Sequence, residues 1–142
     1  MKTYSFIFAR GGSKGLPKKN ILKLNGLPLI AHSILIAQKI NNIERVFVST
    51  DDPEIAFISK EYNAEVINRP KELADDDSSE WLAWQHAISW VYENIGDFDR
   101  FISIPATSPL REEKDIYRCL EELKPGIDLV LTMTPSRRNP FF

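Results

Sequence analysis

The sequence predicts an α/β fold of three layers, α/β/α, built on a mostly parallel sheet. Two observations predict it. Short apolar runs alternate with amphipathic stretches along the chain, and a glycine-rich loop follows directly on the first run. The length of 142 residues suits a single domain over 1–142. Hydrophobic residues at 43% and charged residues at 27% are ordinary globular values.

Residues 4–8 (YSFIF) are apolar and aromatic and stop at glycine, the pattern of a buried strand. Over 28–40, Leu29, Ile30, Ser33, Ile34, Ala37 and Ile40 share one helical face. Residues 45–49 (RVFVS) read as a second strand. Asp52 then offers an N-cap, Pro53 suits the first helical position and Glu54 the first turn, so a helix runs to about 62. A third strand falls at 64–67 and a loop at 69–76. Asp77 with Glu80 resembles a capping box, opening a helix to 94 whose face is Trp81, Trp84, Ile88, Val91 and Ile95. A fourth strand at 100–104 and a loop at 105–111 follow. Next come a helix at 112–123, with Ile116, Cys119, Leu120 and Leu123 inward, and a fifth strand at 127–132. Ligands of such sheets bind beyond the carboxyl ends of the strands. The loops at 9–20, 49–52 and 105–111 lie at that edge.

A net charge of −2 argues against a nucleic-acid or anionic-membrane partner held by bulk charge. Cys119 is the sole cysteine, so no internal disulfide forms, in keeping with a reducing compartment. No stretch reads as a signal segment or membrane span, and the expectation is a soluble, cytoplasmic protein. The sequence ends on Phe141-Phe142 straight after a polar turn, which reads as a short disordered tail or, the favoured expectation, as a point where more chain follows.

The chemistry concentrates in Ala9-Arg10-Gly11-Gly12-Ser13-Lys14-Gly15-Leu16-Pro17-Lys18-Lys19-Asn20. Its glycines let backbone N–H groups approach an anion closely. Arg10, Lys14, Lys18 and Lys19 supply the positive charge a triphosphate demands. The loop matches neither the Walker A nor the dinucleotide glycine pattern. From the residues alone it is a phosphate site or, more plainly, a basic turn with glycines for geometry.

A-R-G-G-S-K-G-L-P-K-K-N after a first strand resembles the signature of acylneuraminate cytidylyltransferases, the CMP-sialic-acid synthetases. The resemblance continues in order through Val48-Ser49-Thr50-Asp51-Asp52, Arg69-Pro70-Lys71-Glu72-Leu73-Ala74-Asp75-Asp76, Thr107-Ser108-Pro109-Leu110-Arg111 and Arg138-Asn139-Pro140-Phe141-Phe142. It implies a Rossmann-like, nucleotide-diphospho-sugar-transferase fold, here in its N-terminal, CTP-binding portion. It also implies transfer of CMP from CTP to the anomeric hydroxyl of a nine-carbon acidic sugar, with release of pyrophosphate. Ala9, Arg10, Gly11, Gly12, Ser13, Lys14, Lys19 and Asn20 would then form the CTP site, bordered by Arg69 and by the stretch from Asp77 to Glu80, with Ser78 in it. Arg10 and Lys19 would be the catalytic cations at the α-phosphorus, and Thr107 and Ser108 would face the sugar. Mg²⁺ is implied, with its carboxylates expected beyond residue 142, as is a homodimer in the full-length form. Pro105 stands where the family often has a glutamine, leaving legionaminic- or pseudaminic-type sugars beside N-acetylneuraminate.

Other candidates have plainer readings. Asp51 and Asp52 read as metal ligands or, for Asp52, as a helix cap. Asp75, Asp76 and Asp77 read as a metal cluster or as acids favoured ahead of a helix. His32 and His86 lack partners at ligand spacing. Cys119, Trp81 and Trp84 read as packing residues. Arg111, in a strand-end loop, is placed to meet a sugar carboxylate or is structural. The readings in competition are a cytidylyltransferase, a non-catalytic CTP-binding module, and a nucleotidyltransferase for a different sugar acid.

Overall fold

The structure, a computed structural model, describes residues 1–135; the expectations attached to Ser136–Phe142, the Arg138-to-Phe142 motif included, lie outside them. In chain order the elements are β1 (Thr3–Phe8), the paired short strands β2 (Lys23–Leu24) and β3 (Leu27–Pro28), α1 (Leu29–Lys39) and β4 (Arg45–Thr50). Then follow α2 (Pro53–Glu61), β5 (Glu65–Asn68), α3 (Glu80–Asn94), β6 (Arg100–Ser103) and α4 (Glu113–Glu122). The main sheet has the order β5-β4-β1-β6, and every pairing in it is parallel. The chain therefore builds outward from β1 through β4 to β5, then crosses back to place β6 on the other side of β1. The expected α/β architecture is present.

Alternation along the strands assigns the two faces. Tyr4, Phe6 and Phe47 point to the face that α3 covers with Ala87 and Val91. Phe6 stacks on Phe47 at 5.3 Å and on Phe101 at 4.6 Å, so this half of the core is aromatic. Ile7 and Val48, buried and one residue out of phase, face the side where α1 contacts β1 and β4. Helix α1 buries Ile30, Ser33, Ile34 and Ala37 as its spacing predicts, and Ala31 with them.

Four sequence expectations are corrected. Helix α3 buries Ala83, Ala87 and Val91, whereas Trp81 is 60% exposed and Ile95 lies at the surface. The rings of β1 and β4 already fill the space over the sheet, so alanines face them and the large residues flank the contact. The cap of α3 is Ser79, whose hydroxyl accepts from Trp81 N, rather than Asp77. A hairpin at 23–28 went unpredicted; Asn25 and Gly26 both take positive φ, 52° and 83°, as a tight turn between two short strands requires. Finally, 127–132 forms no strand: the segment is coil, with Leu129 65% and Leu131 67% exposed. Strand backbone is held by pairing, and no described strand pairs with it.

The chain divides into two compact units, Met1–Arg111 and Glu112–Phe142. The first holds the main sheet and α1 to α3. In the second, Glu112 and Asp115 form a reciprocal capping box at the start of α4, which buries Ile116.

Ala87→Leu should overpack the aromatic face and cost about 1–3 kcal/mol, read as a lower denaturant midpoint at unchanged slope.

Candidate functional site

The glycine loop is anchored at its start to the sheet edge beneath it and is closed on itself at its far end. Strand β1 ends at Phe8, opposite Ser49 of β4, and one further ladder bond runs from Ala9 N to Ser49 O at 3.0 Å. Gly11 N then donates to Asp51 Oδ1 at 3.0 Å. A Cβ on Gly11 would stand 2.5 Å from Asp52 Oδ2 and 2.9 Å from Asp52 Cβ, so only glycine fits there. Asp52 is not free to retreat. Its Oδ1 accepts from Glu54 N at 2.8 Å and Ile55 N at 3.0 Å, which makes it the cap of α2. At the far end, buried Asn20 donates from Nδ2 to Arg10 O at 3.2 Å and closes the loop on itself.

Beyond the carboxyl ends of β1 and β6 lies a cleft of about 200 Å³, open to solvent. One rim carries Phe8, Arg10, Ser13, Lys19 and Asn20. The other carries Ser103, Pro105, Ala106 and Thr107, with Glu80 between. The loop after β1 leads toward β4, while β6 is reached from β5 across the sheet. The cleft thus sits where the chain connections diverge, the usual ligand position in such sheets. Ser33 Oγ donates to Pro105 O at 3.1 Å and fixes the second rim onto α1.

The loop's charges are largely compensated. Asp76 accepts from Arg10 Nη1 at 2.7 Å and from Lys14 Nζ at 2.8 Å. The hydrogen bond from Lys14, aided by the charges of Lys14 and Arg10, holds the Asp76 carboxyl below its usual range. Lys18 pairs with Glu54 at 2.8 Å. Lys19 has no ion pair among the described residues, and its side chain lines the cleft. Of the acidic candidates, Asp51 is held by Gly11, Asp52 is a cap and Asp76 is paired to cations. Among the described residues no three His, Cys, Asp or Glu side chains are grouped to hold a metal ion.

The structure thus brings Arg10, Ser13, Lys19, Asn20 and Thr107 together around one cleft. Ala9 is buried and acts through its backbone, and Gly12 and Lys14 belong to the loop without lining the cleft. Arg69, Ser78, Ser108 and Arg111 do not line it either. Ser78 Oγ donates to Glu72 O at 2.7 Å and closes the turn ahead of α3. Glu80, which ends the stretch that the resemblance placed beside the nucleotide, lines the cleft. Ser103 and Ala106 line it without having been singled out, although the strand-end rule pointed to them. Deeper on α3, Trp84 lies 6.2 Å from Phe8, ring to ring, and His86 leaves its Nδ1 buried without a hydrogen-bond partner. Burial, with the charge of Arg69 in support, pulls the imidazole of His86 below its ordinary value of 6.5.

A parallel α/β sheet with a cation-bearing glycine loop at its carboxyl edge defines the class, that of anion-receiving α/β proteins. Residues 5–132 match the model of the family described as cytidylyltransferase, and the chain belongs to that family. It is 34% identical over 142 residues to an N-acylneuraminate cytidylyltransferase of Escherichia coli, a match covering 96% of this chain and 33% of that protein. It is 37% identical over 139 residues to a CMP-N,N'-diacetyllegionaminic acid synthase of Campylobacter jejuni, covering 96% of this chain and 59% of that protein. Among solved structures, a CMP:2-keto-3-deoxy-manno-octonic acid synthetase complexed with CTP superposes with a TM-score of 0.70 at 24% identity. That match covers 87% of this chain and 47% of the other, and it shows the shared fold. The chain therefore spans between a third and three-fifths of these curated relatives. No described helix is long and apolar enough to cross a membrane.

Two outcomes follow from this geometry. Gly11→Ala should destabilise the chain by about 1–3 kcal/mol in thermal or denaturant melts, by pushing the loop off Asp51 and Asp52. Gly12→Ala and Gly15→Ala, where an added Cβ meets nothing within 4 Å, should stay within about 0.5 kcal/mol. The second outcome concerns pH. Because His86 titrates below 6.5 when folded, the unfolded chain takes up its proton first as pH falls. Stability should therefore decline from pH 6.5 downward until the folded value is passed. His86→Gln should flatten that segment of a stability–pH curve.

Proposed function

We propose that this chain is the nucleotide-binding part of a cytidylyltransferase that activates a nine-carbon acidic sugar of the sialic-acid type. CMP passes from CTP to the anomeric hydroxyl, and pyrophosphate leaves. The observation that carries the reading is the cleft itself, where Arg10, Ser13, Lys19 and Asn20 from one loop meet an uncharged rim after β6. The first rim suits a triphosphate, the second a hydroxylated sugar. Family membership and the names of the relatives support CTP and acidic sugars as the substrates.

In this mechanism the sugar oxygen attacks the α-phosphorus, forming the new P–O bond as the bond to the pyrophosphate oxygen breaks. The proton of the anomeric hydroxyl leaves to solvent or to a base. Arg10 and Lys19 neutralise charge that grows on the transferring phosphoryl group and the leaving oxygen, and the loop holds the phosphates in line. Arg10 must first exchange Asp76 for phosphate, whereas Lys19 meets the anion directly. Asp51, Asp52 and Asp76 are committed to N–H donors or cations, and no three His, Cys, Asp or Glu side chains among the described residues are grouped to hold a metal ion. Pro105, which has no donor, lines the sugar-side rim. That favours recognition of the sugar there by shape and by Thr107 and Ser103 hydroxyls.

Calorimetric titration with CTP, beside ATP, GTP and UTP, tests the nucleotide assignment: selective binding of CTP is expected, and equal or absent binding of all four overturns it. Pyrophosphate release with N-acetylneuraminate, legionaminate or pseudaminate tests the sugar. Lys19→Ala should leave the fold intact and cost about 10²–10³-fold in turnover or a comparable loss of CTP affinity. An unchanged rate and affinity would remove Lys19 from the site.

A further inference from the structure

Two serines buried on helices satisfy their hydroxyls in different ways. Ser59 of α2 donates from Oγ to Ile55 O at 2.7 Å, the carbonyl four residues back in its own helix. Ser33 of α1 is 1% exposed and sits with Ile30, Ile34 and Ala37 on the buried face of that helix. Its Oγ donates to Pro105 O at 3.1 Å, 72 residues along the chain. The bond is therefore a tie between α1 and the second rim of the cleft, and not a local means of burying a hydroxyl. The chain is fixed again just before that tie, where Ile104 N donates to Phe6 O at 3.0 Å. Ser108 N reaches the same Pro105 carbonyl at a longer 3.4 Å. Between these points Pro105, Ala106 and Thr107 line the cleft.

We propose that Ser33 is a positioning residue for the sugar-side rim, acting through the Pro105 carbonyl. Ser33 is buried and does not itself line the cleft, so it acts without touching substrate. The residue it holds has little freedom to begin with. The pyrrolidine ring keeps φ of Pro105 at about −65°, and the direction of the carbonyl sets ψ. One soft dihedral is thus fixed by covalent chemistry and the other by the Ser33 hydroxyl, and the places of Ala106 and Thr107 follow. The rim needs such fixing. Ser103, Pro105, Ala106 and Thr107 carry no charge, so shape and hydroxyls are its means of selecting a sugar. Selection by shape requires a wall that is set before the ligand arrives. The functional half of the proposal rests on the sugar reading of this rim. Its structural half, the tethering of the 105–108 backbone to α1, stands apart from that reading.

The experiment compares the wild-type chain with Ser33→Thr, Ser33→Val and Ser33→Ala. Threonine and valine share a shape and differ in the hydroxyl, so that pair separates the bond from the packing. Amide hydrogen exchange at Ile104 and Ser108 is read by NMR without ligand, with Ala9 on the other rim as the control. Calorimetry gives the affinity for CTP and for whichever of N-acetylneuraminate, legionaminate and pseudaminate the wild-type chain binds. Ser33→Val and Ser33→Ala should speed exchange at Ile104 and Ser108 about three- to tenfold and leave Ala9 unmoved. They should weaken sugar binding by about the same factor, the worth of one neutral hydrogen bond, and keep CTP affinity. Ser33→Thr should restore both readouts. Threonine behaving as valine does would overturn the proposal, and so would exchange rising equally at all three amides. Faster exchange with unchanged sugar affinity, or CTP and sugar affinities falling together, would overturn it too. Should Ser33→Val fail to fold, Ser33→Ala against Ser33→Thr decides by the same readouts. If the wild-type chain binds none of the three sugars, the sugar half of the proposed function falls instead, and exchange still decides whether Ser33 tethers the rim.

Discussion

The parallel register of β1 on β4 sets everything at the cleft. It places Phe8 opposite Ser49, so that Ala9 can add one bond to the ladder before the chain turns away. From there the β4 side supplies the fixed points at the start of the loop. Ser49 takes Ala9, Asp51 takes Gly11, and Asp52 sets the wall that admits glycine alone. Asp52 does two things with one carboxylate, capping α2 and crowding Gly11, which is why a helix start and a loop apex come so close. A one-residue slip would turn the buried rings outward and remove the loop's anchors at the same moment.

The resting electrostatics follow from that geometry. A loop with four cations brought against a sheet edge repels itself unless carboxylates approach. Asp76 answers Arg10 and Lys14, and Glu54 answers Lys18. These pairs are exposed, so each is weak and readily exchanged. An incoming anion therefore trades partners with Asp76 and meets Lys19 without such a trade. The exchange is local, because Asp76 belongs to the turn just before α3 and the cations belong to the loop.

Much of the fold was legible from the chain alone. Apolar runs bounded by Gly, Pro and Asp located the four strands of the main sheet to within a residue or two, and Asp52-Pro53-Glu54 announced α2. The face of α3 was misjudged because periodicity favours the largest apolar residues, whereas contact with a sheet of phenylalanines favours the smallest. The short hairpin needed Asn25-Gly26 to be weighed as a turn signal. The run at 127–132 carries strand-like residues, yet a strand is defined by its neighbour, which composition does not contain. At the cleft, the loop's role as a unit was legible from glycine and charge. The partners of individual side chains were not, since Asp76, Ser49 and Glu80 are brought near the loop only by the sheet order.

Arg69 illustrates why. In sequence it is an arginine after a strand, indistinguishable from one that reaches outward to a ligand. Only the structure places its guanidinium between Ser49 and Phe8. An arginine turned outward keeps its guanidinium hydrated. Arg69 instead gives up that hydration, and burial lowers its pKa while Asp51 partly restores it. A charge is taken out of water at this cost only where its hydrogen bonds are met, and here Ser49 meets them with both its hydroxyl and its carbonyl. The charge also reaches the loop's surroundings, since Asp51, Arg10 and Glu80 are the groups that act on it electrostatically. The same guanidinium that bonds to the end of β4 thus lies within electrostatic reach of Arg10 in the loop and of Glu80 at the cleft.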